Sequence, residues 1–309
     1  MTNDSPLLAS STTGSIYDLG YRHYNGPRRG RGWAIWSLYV ESLRGIWGFG
    51  RPMTAKAAPL ILAGLYAIVA VIQLAFASVF ASEIARGQSV QLLNYSNYFA
   101  SMFFFVFFFC VAQAPEVVCR DQRYSVLPLY FTRALGRIDY AAARLASLAT
   151  AVFIVLMIPN VALFIGDVLM KTDTFKAVGD ELPLALPSIP ASIFVALGLA
   201  AISLAVSSFT PRRAYAAIGL VAYVLLMEAI PAAIYSIGQT GGGATWTDKL
   251  FLLTPITSLD GATNWFFGKP LDPETFLGTL TAEAYLVAAL ASIVVFTGVL
   301  VFRYRRIPA

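Results

Sequence analysis

Apolar residues run along this chain in long blocks, separated by short polar stretches. A helix needs about 20 consecutive apolar residues to cross the hydrocarbon core of a bilayer. Uncharged stretches of that length cover residues 57–82, 87–115, 145–166 and 182–211; residues 284–302 come close, and 214–237 qualifies but for Glu228. The pattern predicts six membrane-spanning helices, at about 59–81, 98–118, 141–166, 189–209, 214–237 and 284–302. Before the first, Trp33, Trp36, Val40, Leu43 and Trp47 recur at three- and four-residue spacing, opposite Ser37, Glu41 and Arg44. That spacing predicts an amphipathic helix over 33–50, lying in the membrane interface rather than across it. Between the fifth and sixth spans, Gly241-Gly242-Gly243 leads into residues 246–267. There Phe251, Leu252, Leu253, Ile256, Leu259, Trp265 and Phe266 mix with polar positions. The stretch is too polar to span and predicts short helices dipping back as a re-entrant outer cap. The expected fold is an all-α integral membrane protein: residues 1–32 a flexible basic tail, residues 33–309 one transmembrane domain.

Composition agrees. The chain is 58% hydrophobic and 13% charged, against about 25% charged in soluble domains. Its N-terminus carries no secretory signal pattern. The net charge of +5 would suit nucleic acid, but the placement of the charges argues otherwise. Seventeen of the 22 lysines and arginines lie in the N-terminal segment, the loop after the second span, the Arg212–Arg213 hairpin and the C-terminus. Arg86, Lys171, Lys176, Lys249 and Lys269 occupy the alternate loops. This split follows the positive-inside rule and predicts a multi-pass protein of the cell membrane with both termini cytoplasmic. Membrane lipid, not nucleic acid, is the expected partner of the basic residues. Cys110 and Cys119 lie nine residues apart, about 13 Å along a helix, which disfavours a disulfide. With His23 the lone histidine, no metal site is expected.

The loop after the second span mixes charge with apolar residues. Five arginines and two aspartates between residues 120 and 144 surround Leu127, Leu129, Tyr130, Phe131 and Leu135. Such apolar side chains on the cytoplasmic side need a surface to pack on, which suggests docking of a cytosolic partner. The run Ala114-Pro115-Glu116-Val117-Val118-Cys119-Arg120-Asp121 is followed by Leu127-Pro128-Leu129-Tyr130-Phe131-Thr132-Arg133 and Arg137-Ile138-Asp139-Tyr140. With Tyr17-Asp18-Leu19-Gly20-Tyr21-Arg22 near the N-terminus, it resembles the permease subunits of ABC-2 type transporters, in an actinobacterial-like branch. The resemblance implies the membrane half of an ABC exporter, paired with a second permease copy or a related permease and driven by cytosolic ATPase subunits. ATP and Mg would be bound by those ATPases and no cofactor by this chain, which has no Gly-x-x-x-x-Gly-Lys-[Ser/Thr] phosphate loop. By itself it is not expected to be an enzyme.

The resemblance also assigns residues. Residues 120–140 become the coupling loop, with Tyr124, Leu127, Leu129, Tyr130 and Phe131 filling a groove on the ATPase. Arg133 and Arg137 would add charge at its rim, lipid headgroups being their alternative partners. Glu116, Arg120, Trp36, Glu41 and Arg44 would form the transmission interface, Glu116 also being within reach of Arg120 one turn on. Asp139 stands where the third span begins, favourable against the helix dipole. The implied substrate is an amphiphilic or hydrophobic compound, such as a drug, lipid or natural product.

A few polar residues fall within the spans. A carboxylate there costs about 2.5–3.5 kcal/mol on insertion scales, so Glu228 should face protein or water. It lies about 21 Å across, counting 1.5 Å per residue from Ala214, and either lines the substrate path or packs protonated near Pro231. Asn160 and Gln73 are further path candidates, with helix–helix hydrogen bonding as their alternative. Six phenylalanines in residues 103–109 read as lipid and packing surface rather than a substrate grip. Asp167, Asp173, Asp180 and Glu181 predict a solvated acidic outer loop. An ion-coupled secondary transporter using Glu228 is the alternative class, disfavoured by the lack of an inverted repeat. An intramembrane enzyme would need a paired His, Asp or Ser constellation that the spans lack.

Overall fold

A computed structural model describes residues 26, 29–50, 52–84, 95–132, 135–171, 173–240, 246–271 and 280–306. Residues 1–25, Arg133 and the run Gly241, Gly242, Gly243 lie outside them. The described residues form helices and no strand: α1 (Arg31–Ile46), α2 (Met53–Ile84), α3 (Tyr95–Arg123), α4 (Leu127–Phe131), α5 (Arg137–Met170), α6 (Thr174–Ala185), α7 (Ser188–Ser207), α8 (Arg213–Thr240), a 3-10 segment (Thr247–Leu253), α9 (Pro255–Phe266) and α10 (Ala282–Arg305). Six helical stretches, α2, α3, α5, α6 with α7, α8 and α10, are long and apolar enough to cross a membrane. The chain has the helices of a multi-pass membrane protein.

The centre of the bundle is α5 and α7. Small residues let α7 pack closely: Ala191, Ala196, Gly198, Ala200, Ala201 and Ala205 are all buried, as close helix approach within a membrane requires. A Cβ on Gly198 would come within 2.6 Å of Leu259 on α9. A Cβ on Gly261 would come within 2.4 Å of the Tyr285 ring on α10, so α9 lies tightly against both neighbours.

One connection is more ordered than the sequence suggests. Residues 174–185 form α6, its first turn capped by the Asp173 carboxylate, which accepts the Lys176 amide at 3.3 Å. Asp167 and Glu181 converge on Lys171 in place of standing apart in a solvated loop, the Lys171–Asp167 distance being 3.5 Å. Asp173 and Asp180 remain exposed. The aromatic stripe of α1 is divided. Leu38, Ser42 and Ile46, spaced by four residues, are buried against the bundle, with Leu43 and Trp47 beside them. Trp33 and Trp36 are exposed. In the phenylalanine run, Phe103, Phe107 and Phe109 are buried and Phe104 is exposed. Cys110 and Cys119 are free and buried.

Candidate functional site

The antiparallel order brings the C-terminal ends of α3, α7 and α10 to the N-terminal end of α5, and a buried polar hub forms there. Asp121, in the last turn of α3, is ion-paired with Arg144 of α5. The Tyr140 hydroxyl donates to the same Asp121 carboxylate at 2.7 Å. Arg144 also donates to Ser42 Oγ of α1 at 2.6 Å, and its guanidinium lies 5.1 Å from the centre of the Tyr140 ring. The Ser42 hydroxyl in turn donates to the Leu38 carbonyl at 2.5 Å. Gln122 extends the hub, donating to the Ser208 carbonyl at 3.0 Å and to the Tyr304 hydroxyl at 3.3 Å. Five helix ends (those of α1, α3, α5, α7 and α10) are thereby joined. A low-dielectric interior tolerates buried charges when they are paired and hydrogen-bonded.

The short helix α4 rests on this hub. Pro128 near its start fixes the backbone where no intrahelical donor is needed. Leu127 is buried. The Tyr130 and Phe131 rings pack on Tyr140 with centroids 5.8 and 6.1 Å away, and burial pushes the Tyr130 phenol above its ordinary pKa. Leu129 and Tyr124 stay 66% and 65% exposed, an apolar surface held by buried neighbours. The Arg137 guanidinium lies 5.8 Å from the Phe131 ring centre. Arg31 clamps Asp139 through two hydrogen bonds of 2.7 Å, and Asp139 accepts the Gly136 amide at 2.9 Å. This fastens the start of α1 to the start of α5.

A cleft of about 460 Å³ opens beside α4. Its lining includes Glu41 of α1, Glu116, Arg120 and Tyr124 at the end of α3, and Leu129 and Tyr130 of α4. A second groove of about 700 Å³ adjoins it, its lining including Trp36, Arg44, Glu41 and Arg120. Glu116 and Arg120 do share the cleft wall, but the ion pair of Glu116 reaches across to Arg213 at the head of α8. Glu116 thus ties α3 to α8.

The residues singled out within the spans are not gathered in one place. Glu228, on α8, accepts the amides of Ile256 and Thr257 at 2.7 and 3.2 Å and the Thr257 hydroxyl at 2.5 Å. Neither of the two expected settings includes this bonding to α9. Asn160 is buried on α5, beside Pro159, and its side-chain amide donates to the Leu156 carbonyl at 2.7 Å. Gln73 is half-buried on α2.

Ser42, Asp121, Gln122, Tyr140, Arg144 and Tyr304 were not among the expected site residues. The available signal was the position of Asp121 and Arg144, each at the edge of an apolar block, where opposite charges facing each other can be buried together. Among the described residues no group of three or more His, Cys, Asp or Glu side chains is placed to hold a metal. No family model matches the chain, and no curated protein matches it.

Proposed function

We propose that the chain is the permease subunit of an ATP-binding cassette exporter, with a separate cytosolic ATPase docking on α4 and the cleft beside it. The observation that carries this reading is the seat of α4. Its exposed face, Leu129 with Tyr124, is backed by Tyr130 and Phe131 on a buried ion pair that joins five helix ends. A force applied to α4 by a partner would reach the bundle through that hub. Apolar anchors ringed by charge are the chemistry of a protein-docking surface, and Glu41, Arg44, Arg120 and Arg137 supply the charge. Arg133, adjoining α4 in sequence, would add to it.

In this reading the end of the bundle carrying α4 faces the cytoplasm, as the placement of 17 of 22 basic residues argues. In the same reading α1 lies at the headgroup level of that leaflet, which the exposed Trp33 and Trp36 would suit, and α9 with the 3-10 segment would be the re-entrant cap at the opposite face. The sparsely buried flanks of α2, α8 and α10 meet lipid or a second permease. The substrate is amphiphilic or hydrophobic, passing between two permease copies. Against an ion-coupled mechanism through Glu228 stands the engagement of both its carboxylate oxygens by α9.

The test is co-purification with a candidate ATPase. Leu129→Asp and Tyr124→Asp place a carboxylate where apolar contact is needed and should reduce recovery of the ATPase at least tenfold, with the permease itself still extracted in normal yield. Unchanged recovery sinks the docking assignment, and transport driven by a proton gradient without ATP sinks the exporter reading.

A further inference from the structure

Helix α9 begins with an unusual division of labour. Thr254, at its N-cap, is a residue type that ordinarily accepts from the first free amides of a helix. Its hydroxyl instead donates backward to the Phe251 carbonyl at 2.6 Å, and it makes no side-chain cap. Pro255, at the first helical position, has no amide hydrogen. The next two amides, Ile256 and Thr257, would be left bare, yet both point at Glu228 of another helix, α8. The Thr257 hydroxyl completes the set. A carboxylate suits that position, since a helix N-terminus carries partial positive charge. α9 is thus capped from outside its own segment.

The other end of α8 is tied too. Arg213, its first residue, is ion-paired with Glu116 of α3, and Glu116 lines the cleft beside α4. Fifteen residues, about 22 Å of helix, separate Arg213 from Glu228. Between and beyond these ties α8 is among the least buried of the long helices, and Pro231 interrupts its hydrogen-bond ladder three residues past Glu228. Between the ties one face of α8 (Ala216, Leu220 and Val224) rests on the bundle while its other faces are bare, so the helix can shift as a rod and carry a displacement from one tie to the other.

We propose that Glu228 is a positioning residue that latches α9 to α8, so that displacement of α8 at its Arg213 end is read at α9. This rests on the exporter reading for its meaning, in which α9 belongs to the outer cap, here taken as the gate of the substrate path, and the Glu116–Arg213 pair adjoins the ATPase-docking cleft. Closing the latch seats α9 against Tyr285 of α10 and Leu259's neighbour Gly198 of α7; movement of α8 frees the N-terminus of α9 and lets the gate part. Glu228 serves here as a mechanical contact and carries no ion.

Single-amide hydrogen exchange on the full chain in lipid nanodiscs tests the latch without any ATPase, so its outcome is independent of the docking experiment. Glu228→Ala, which removes the acceptor of both amides, should speed exchange at Ile256 and Thr257 by about tenfold or more, the factor associated with losing hydrogen bonds to a charged group, while amides in the second half of α9 keep their rates. Arg213→Gln, at the far end of α8, should speed the same two amides severalfold, and the double variant should show little beyond Glu228→Ala alone, the non-additivity expected of one pathway. Unchanged rates in Glu228→Ala, or a uniform rise along all of α9, overturn the latch. Arg213→Gln without effect at Ile256 and Thr257, or additive with Glu228→Ala, overturns the link along α8.

Discussion

Arg144 enters the bundle two turns into α5, with Asp121, Tyr140 and Ser42 arranged around its guanidinium. Both ion-pair partners are almost wholly shielded, their side chains 8% and 12% exposed. Removing one partner of such a pair leaves an uncompensated buried charge, at a cost of about 3–5 kcal/mol, whereas replacing both by apolar groups of similar volume is far milder. Asp121→Ala should therefore lower the thermal midpoint of the purified protein by many degrees, and adding Arg144→Met should recover most of the loss. A melt in which the double variant is as unstable as the single one would mean that the hub stabilises by some route other than charge pairing. From the sequence alone, Arg144 counted as one of five loop arginines marking the cytoplasmic side. Its burial could not be read there, because the carboxylate that compensates it lies 23 positions away on another helix.

Helix α9 shows the same limit at the scale of an element. Its apolar positions identify it as a helix too polar to span, but the group that caps it and the glycine that seats it act through partners far along the chain. One residue of α9 is set unfavourably. Asp260, one turn past the cap, has its Oδ1 buried without a hydrogen-bond partner among the described residues. Burial, with a smaller contribution from the Glu228 charge, pushes its carboxyl up to about 6. An acid whose pKa is raised in the folded state holds its proton more tightly there than when unfolded. Stability then falls as pH rises from about 4, the ordinary carboxyl value, to about 6, and is level above that. At one pKa unit per 1.36 kcal/mol, the loss is roughly 2–3 kcal/mol. Asp260→Asn should abolish this slope and raise the melting midpoint at pH 7 while leaving it nearly unchanged at pH 4. The check is a series of melts between pH 4 and pH 8; parallel curves for the two proteins would show that Asp260 is ionised in the fold.

For the whole molecule, apolar length located the spans well because a lipid-facing helix and a buried one draw on the same residues. That is also why burial was not legible. The apolar windows of α2 and of α6 with α7 are similarly hydrophobic, yet 17% of the first is buried and 72% of the second, since lipid tails are as apolar as leucine and do not penalise an outward-facing one. Orientation depends on charge instead, and the structure offers two positions at which to measure it. Phe175, in the first turn of α6, is 94% exposed, and Tyr124, beside α4 at the opposite end of the bundle, is 65% exposed. The two native cysteines are fully buried and should not react. Phe175→Cys should therefore be labelled by a membrane-impermeant maleimide on intact cells, while Tyr124→Cys is labelled only after the membrane is permeabilised. The reverse pattern would put α4 outside the cell, beyond the reach of any cytosolic ATPase.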